Sequence, residues 1–322
     1  MDEALALIGE DLKNVERQFK KDLQSDVPLI RKVGEYVLAS GGKRIRPALL
    51  LLAANLCGYR GERHVPLASV IEFIHTATLL HDDVVDNANL RRGIASANTL
   101  WGNEASVLVG DFLFSKSFSL MVADGDLEIL KILSGATTII AEGEVLQLVC
   151  TSDLDITVER YIQVVKCKTA ILLSAACQAG AILGNSTPER EAALRDFGME
   201  LGIAFQLMDD TLDYTASEEQ FGKSIGHDLE EGKITLPLIH TLRNCTPDER
   251  EQIAGIVEKD ILNDDDFATV FGLVHRYGGI DHAVGTAQEY VVSCKAHLDI
   301  FDESPAKRAL INLADYVVNR VK

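Results

Sequence analysis

This chain is short of cysteine pairs, prolines, strand-like alternation and basic charge. The six cysteines, Cys57, Cys150, Cys167, Cys177, Cys245 and Cys294, include no C-x-x-C pair. Most lie in apolar runs and read as reduced core thiols of a cytoplasmic protein. Lys and Arg number 31 against 49 Asp and Glu, a net charge of −18. Nucleic acid is thereby excluded as a partner, because phosphate backbones need clustered cations. The strongly apolar run Pro47–Cys57 is shorter than a bilayer span. Thr169–Gly184 is longer, but Ser174, Gln178 and many small residues suit a buried helix contact, so no membrane anchor is expected. The charged segment Met1–Lys21 is not expected to act as a secretion signal.

What remains is helical periodicity. Apolar residues recur three and four apart through Leu5–Leu23, Leu67–Val85, Ala105–Val122, Leu127–Val149, Val158–Leu183, Arg190–Tyr214 and His282–Ile300. The seven prolines include Pro188, Pro247 and Pro305, each just after a Ser or Thr able to cap a helix. No composition shift marks a boundary, and Gly222–Gly232 is the most loop-like interior stretch. The pattern predicts an all-α fold: one domain over residues 1–322, a large bundle of roughly a dozen helices.

Two acidic clusters stand out of this background. Asp82-Asp83-Val84-Val85-Asp86 and Asp209-Asp210-Thr211-Leu212-Asp213 both have the form D-D-x-x-D inside apolar helical runs. Residues four apart share a helix face, so Asp82 points with Asp86 and Asp209 with Asp213. Crowded carboxylates raise one another's pKa unless a cation holds them. Hard oxygen ligands suit Mg²⁺, which keeps open positions for water and phosphate oxygens. Two such clusters could grip a diphosphate, whereas one alone would be weak evidence against a solvated acidic face.

Basic residues accompany them. Gly41-Gly42-Lys43-Arg44-Ile45-Arg46-Pro47 joins a turn to three cations at an expected helix start, where backbone amides and the helix dipole favour anions. Arg91-Arg92-Gly93 follows the first cluster, Lys168-Thr169 opens an apolar segment, and Lys223 and Lys233 flank the loop after the second. Taken singly, each could be an ordinary surface charge. Placed around two carboxylate motifs, they match diphosphate chemistry.

Together with Phe73–Asp86 and Ala141–Leu148, this set resembles the all-trans polyprenyl diphosphate synthases across nearly the whole chain, most strongly from Gly41 to His240. The resemblance implies an isoprenoid-synthase helical bundle with a central active-site cavity. It implies that Asp82, Asp83, Asp86, Asp209, Asp210 and Asp213 bind three Mg²⁺ ions. Arg91, Lys168, Lys223 and Lys233 would then hold the allylic diphosphate, and Lys43, Arg46, His75 and Arg92 isopentenyl diphosphate. Thr169 and Gln206 would lie near the developing carbocation. The family's usual G-K-P-T-L-P reads Gly232-Lys233-Ile234-Thr235-Leu236-Pro237 here, and His227 stands where Asp, Asn or Lys is common.

The implied reaction ionises an allylic diphosphate, such as farnesyl diphosphate, and condenses the cation head to tail with isopentenyl diphosphate, repeatedly. Family members that stop early carry Phe or Tyr about five residues before the first motif. Ala77 stands there, flanked by Thr78, about 7.5 Å along the helix from Asp82. Ile74, Met121, Leu133 and Ile139 are candidates for the tunnel floor, though each also reads as core. The expected product is an eight-unit, C40 chain for a quinone, with C35, C45 and C50 as alternatives. A cytoplasmic homodimer handing its product to a membrane is implied, with the apolar Ala105–Val149 region as a candidate contact. A terpene cyclase would normally lack the second D-D-x-x-D, and a non-catalytic partner subunit would carry degraded motifs. A di-iron carboxylate bundle is suggested by Glu72-Phe73-Ile74-His75 but needs a second E-x-x-H.

Overall fold

The computed structural model describes residues 2–215, 226–259 and 261–319. Among the described residues its regular elements are helices, apart from one two-stranded hairpin. It divides into two compact units. One comprises Met1–Thr138, Leu172–Gly198 and Lys295–Leu313; the other comprises Ile139–Ile171, Met199–Cys294 and Ala314–Lys322.

The first unit opens with α1 (Asp2–Asp22), α2 (Pro28–Ala39), α3 (Ile45–Leu56) and α4 (His64–Val85). Helix α3 is apolar on all sides and almost wholly buried, as a central helix must be. Helix α4 packs on α1, on α3 and most extensively on α6 (Asn103–Asp124). Phe19 stacks on Phe73 at 4.1 Å, and Leu23, Val37, Ala77, Leu80 and Leu113 close the core around them. Between α4 and α5 (Ala97–Trp101), strands β1 (Leu90–Arg91) and β2 (Ile94–Ala95) form a hairpin that periodicity did not foresee. Its two-residue turn, Arg92-Gly93, has φ of 53° and 77°, the doubly left-handed turn that matches strand twist. Helix α9 (Ile171–Leu183) then packs on α3. A Cβ at Gly180 would sit 2.6 Å from the Leu50 carbonyl, so only glycine permits this approach.

The second unit takes up the chain within α7 (Leu127–Val149) and continues through α8 (Val158–Val165). A π-helical turn, Lys166–Ala170, interrupts the expected continuous helix Val158–Leu183. Helix α10 (Pro188–Leu212) ends in the second acidic cluster, followed by α11 (His227–Glu230) and α12 (Leu236–Asn244), which packs on α8. Helices α13 (Pro247–Val257) and α14 (Asp264–Arg276) both open with reciprocal capping boxes, Thr246 with Glu249 and Asn263 with Asp266. Helix α15 (Gly279–Ala296) follows, and α16 (Pro305–Asn319) begins in the first unit and ends in the second. Helices α10, α13 and α16 start at the three expected proline sites.

The expectation drawn from unbroken apolar runs needs correction. Asn103–Asp124, Leu127–Val149 and Val158–Leu183 are long and apolar enough, by length and composition, to cross a membrane. Scattered polar residues hid them, because a helix tolerates one or two charges that break a run. The Val158–Leu183 segment is mostly buried within the protein. Ser174 there donates to the Arg195 carbonyl and Gln178 to Glu191, each at 2.8 Å. Helices α6 and α7 remain largely uncovered. The cysteines form no disulfide with one another; Cys150, Cys177 and Cys294 are buried and the other three half-buried.

Candidate active site

The first acidic cluster ends helix α4, with Asp86 as its C-cap. Asp83 is 2% exposed and receives Arg91 Nε at 2.7 Å and Nη2 at 2.6 Å. The chain turns at the end of α4, where Asn87 has φ of 50° and the Ala88 amide donates to the Asp83 carbonyl at 2.9 Å, and this brings Arg91 back onto the carboxylate. Asn98 anchors the same region through the Asp83 carbonyl at 3.0 Å. Asp82 and Asp86 are half-buried. The preceding His81 packs its ring over Gly110, within 3.3 Å of Asp111.

The expected isopentenyl diphosphate residues also gather in this unit. Gly41 and Gly42 have φ of 90° and 132°, and Arg92 donates to the Gly41 carbonyl. A side chain at Gly42 would meet Arg92 Nη1 at 2.7 Å, so glycine keeps the guanidinium's place open. Lys43 is exposed just before α3. Arg46 Nη1 lies 3.1 Å from His75 Nε2. Burial, then Arg46, Arg91, Arg92 and Arg44, hold the His75 pKa well below the ordinary imidazole value. A neutral ring accepting from Arg46 agrees with both observations. Arg44 is engaged elsewhere, pairing with the buried Glu72 and donating to the Leu38 carbonyl at 2.5 Å. Glu72 is thereby engaged away from His75, which removes the di-iron reading of the E-x-x-H.

In the second unit, a cavity of about 110 Å³ is lined by Tyr161, Lys168, Thr169, Gln206, Asp210 and Asp228, among others. Along α8 and the π-turn, residues 161, 164, 165, 168 and 169 form one helical face on that cavity. Gly143 makes room for the π-turn, since a Cβ there would meet Cys167 Cβ at 2.7 Å. Thr169 Oγ1 donates to Gln206 Oε1 at 2.8 Å, and Gln206 Nε2 donates to Asp210 Oδ1 at 2.7 Å. The Tyr161 hydroxyl donates to Asp210 Oδ2. Lys168 Nζ bonds Glu144 at 2.7 Å, and Lys233 pairs with Glu231. Asp213 accepts the His227 and Asp228 amides at 3.2 and 3.0 Å, tying α10 to the start of α11. Ile234, in place of the usual proline, is buried against the cavity. Lys223 lies outside the described residues.

The carboxylates here carry a strain that a cation would relieve. Burial pushes Asp210 up to about 6, with Asp209 and Asp213 adding repulsion against the Tyr161 and Gln206 bonds. Asp228 is pushed well above the carboxylate range by burial and by Asp210 and Asp213. Burial likewise holds the Tyr161 hydroxyl far above its ordinary value, so it remains a donor. Among the described residues, no three His, Cys, Asp or Glu side chains already converge on one metal position. The donor set is nevertheless all oxygen, the kind that Mg²⁺ and Ca²⁺ select. Tyr161, Asp228, Glu144 and Glu231 were missed as site residues. Glu144 lay within the Ala141–Leu148 segment, and Asp228 and Glu231 within the loop-like stretch Gly222–Gly232, but a tyrosine or a lone carboxylate carries no motif of its own.

Of the expected tunnel residues, Ala77, Ile74, Met121 and Leu133 are buried, while Thr78 and Ile139 are half-buried. Ala77 sits in the Phe19–Phe73 core cluster.

Comparison with known proteins gives this arrangement a context. The polyprenyl synthetase family model matches residues 27–274. Octaprenyl diphosphate synthase of Escherichia coli K12 is 46% identical over 98% of this chain and 97% of its own. A decaprenyl diphosphate synthase structure from Rhodobacter capsulatus is 41% identical, with a TM-score of 0.95 over 100% of this chain and 99% of that one. A polyprenyl synthase from Caulobacter crescentus CB15, solved with calcium and isoprenyl diphosphate, is 41% identical with a TM-score of 0.96, covering 100% and 98%. The chain belongs to the polyprenyl synthetase family, and its fold is the all-α isoprenoid synthase fold.

Proposed function

We propose that this protein elongates an allylic diphosphate, farnesyl diphosphate by preference, through successive head-to-tail condensations with isopentenyl diphosphate. The product is an all-trans C40 chain destined for a quinone side chain. The observation that carries this reading is the full-length likeness to the Escherichia coli octaprenyl enzyme together with two intact D-D-x-x-D motifs. We take residues 1–322 as one catalytic domain, because the family match runs without a break through segments of both units.

In this proposal Asp82, Asp83, Asp86, Asp209, Asp210 and Asp213 hold three Mg²⁺ ions. Bound there, the metal would neutralise diphosphate charge and make the group a better leaving group. The chain's own residues do the rest. Arg91, Lys168, Lys223 and Lys233 bind the allylic diphosphate and stabilise the charge that develops as the C–O bond breaks. Glu144 and Glu231 keep Lys168 and Lys233 in place until substrate arrives. Lys43, Arg46, His75 and Arg92 orient isopentenyl diphosphate, whose double bond attacks the allyl cation. Thr169 and Gln206 present oxygen dipoles toward that cation. Loss of a proton to the departing diphosphate restores an allylic product ready for the next cycle.

Two further features belong to this reading. Helix α6 exposes Leu108 and Val122, and α7 exposes Leu127, Val145, Leu148 and Val149. Such apolar area supports a homodimer contact. Ala77 sets the chain length by leaving space that an aromatic ring would fill. The protein acts in the cytoplasm and passes its oily product to a membrane.

Mass spectrometry of products from farnesyl diphosphate, isopentenyl diphosphate and Mg²⁺ tests the proposal. A dominant C40 diphosphate is expected. Cyclic or hydrocarbon products without consumption of isopentenyl diphosphate would overturn it, and a C35, C45 or C50 product would overturn the chain length alone.

A further inference from the structure

We infer that Tyr161 is a positioning residue for the elongation reaction, orienting Asp210 and, through Gln206, the Thr169 hydroxyl. The inference rests on the elongation reading above. It starts from a continuous hydrogen-bonded chain in the second unit: Tyr161 to Asp210, Gln206 to Asp210, and Thr169 to Gln206. Each carboxylate oxygen of Asp210 receives one donor. Each therefore keeps one lone-pair direction open for a cation.

The geometry makes Tyr161 the fixed end of this chain. It is 5% exposed, its ring lies in the cavity wall, and its hydroxyl has Asp210 as its acceptor. Asp210 is held at both oxygens and cannot rotate without breaking a bond to a buried group, which is costly. The bond from Gln206 Nε2 to Asp210 also decides which way the Gln206 amide faces. Its oxygen is left to accept from Thr169, so the Thr169 hydroxyl proton points to Gln206 and its lone pairs point elsewhere. The whole chain joins two elements, α8 with its π-turn and α10. Residues 161, 168 and 169 share one helical face, so the same element presents the positioning hydroxyl, the Lys168 ammonium and Thr169.

Replacing Tyr161 by Phe keeps the ring and removes only the oxygen. In the full-length protein, Tyr161→Phe is expected to weaken Mn²⁺ binding about tenfold, read as free Mn²⁺ by electron paramagnetic resonance without substrate. It is also expected to lower kcat about 10- to 100-fold, with KM for isopentenyl diphosphate unchanged. Circular dichroism should be that of the wild type. A purely structural role would lower thermal stability but leave the Mn²⁺ affinity and the split between kcat and KM unmoved, and that result would overturn the inference. Should Tyr161→Phe fail to fold, Gln206→Met cuts the same chain one link further on. Weakened Mn²⁺ binding in that variant supports the coupling; wild-type affinity overturns it. Failure of the wild-type protein to elongate any allylic diphosphate would remove the proposed function instead, and the Mn²⁺ measurement would still decide whether Tyr161 orients Asp210.

Discussion

Asp82 and Asp83 are neighbours on one helix yet end in different surroundings. Asp83 is buried and gripped by Arg91, while Asp82 is half-buried on the adjacent face. The Asp82 carboxylate is thus the more accessible of the two to a ligand. Asp82→Ala is therefore expected to cut turnover by about 100-fold or more, while the melting temperature stays within a few degrees of wild type. Near-normal turnover in a steady-state assay would contradict its metal role. Glu231 offers a test at the same scale. Burial would raise its carboxyl, but His227 and Lys233 outweigh that and bring it to about 2 from 4.5. A depressed carboxylate stabilises the fold above its unfolded value and loses that contribution as pH falls. The loss should run from about pH 4.5 down to about pH 2, and amount to about 3 kcal/mol. Glu231→Gln should flatten the stability difference in that window; denaturation at stepped pH measures it, and parallel curves for the two proteins would sink the assignment.

At the level of elements, glycine decides how close helices come. Gly180 lets α9 approach the Leu50 carbonyl of α3, and Gly143 lets α7 approach the π-turn. Backbone cannot move aside as a flexible side chain can. Gly180→Ala is expected to destabilise the fold by about 1–3 kcal/mol through overpacking, readable as a lowered urea midpoint with an unchanged m-value. The same buried packing bears on Ala77, which lies in a core cluster with Phe19 and Phe73. Ala77→Tyr should shorten the main product and also lower the melting temperature. Product chromatography showing an unchanged chain length would remove Ala77 from the length-setting role, whatever happened to stability.

For the whole molecule, the exposed apolar side chains of α6 bear on behaviour in solution. Leu108 and Val122 on α6 are each about two-thirds exposed, as they would be if a second copy covered them. Light scattering should give twice the chain mass of 35.2 kDa. Leu108→Glu should shift the population toward monomer, and a wild-type monomer at micromolar concentration would refute the contact.

How much of this was legible along the chain follows from range. Helix periodicity is a local property, and all seven expected segments are helical, Val158–Leu183 with a π-turn inside it. The two D-D-x-x-D clusters and the proline-capped starts were legible for the same reason: their geometry is set within four residues. The Arg92-Gly93 turn, the π-turn and the Tyr161–Asp210 bond were not. The two turns are local but break the helical period that carried the reading, and the bond joins residues far apart in sequence, which no local pattern encodes. Composition and motif spacing dictated an all-α diphosphate chemistry, because carboxylate spacing and helical faces are written in consecutive residues. Tertiary packing alone decided that Asp83 and Asp210 would be buried and hydrogen-bonded, that Glu72 would serve Arg44, and that a tyrosine would stand behind the second cluster. Burial and partner choice are properties of the folded chain, and they set the charge and orientation on which the chemistry depends.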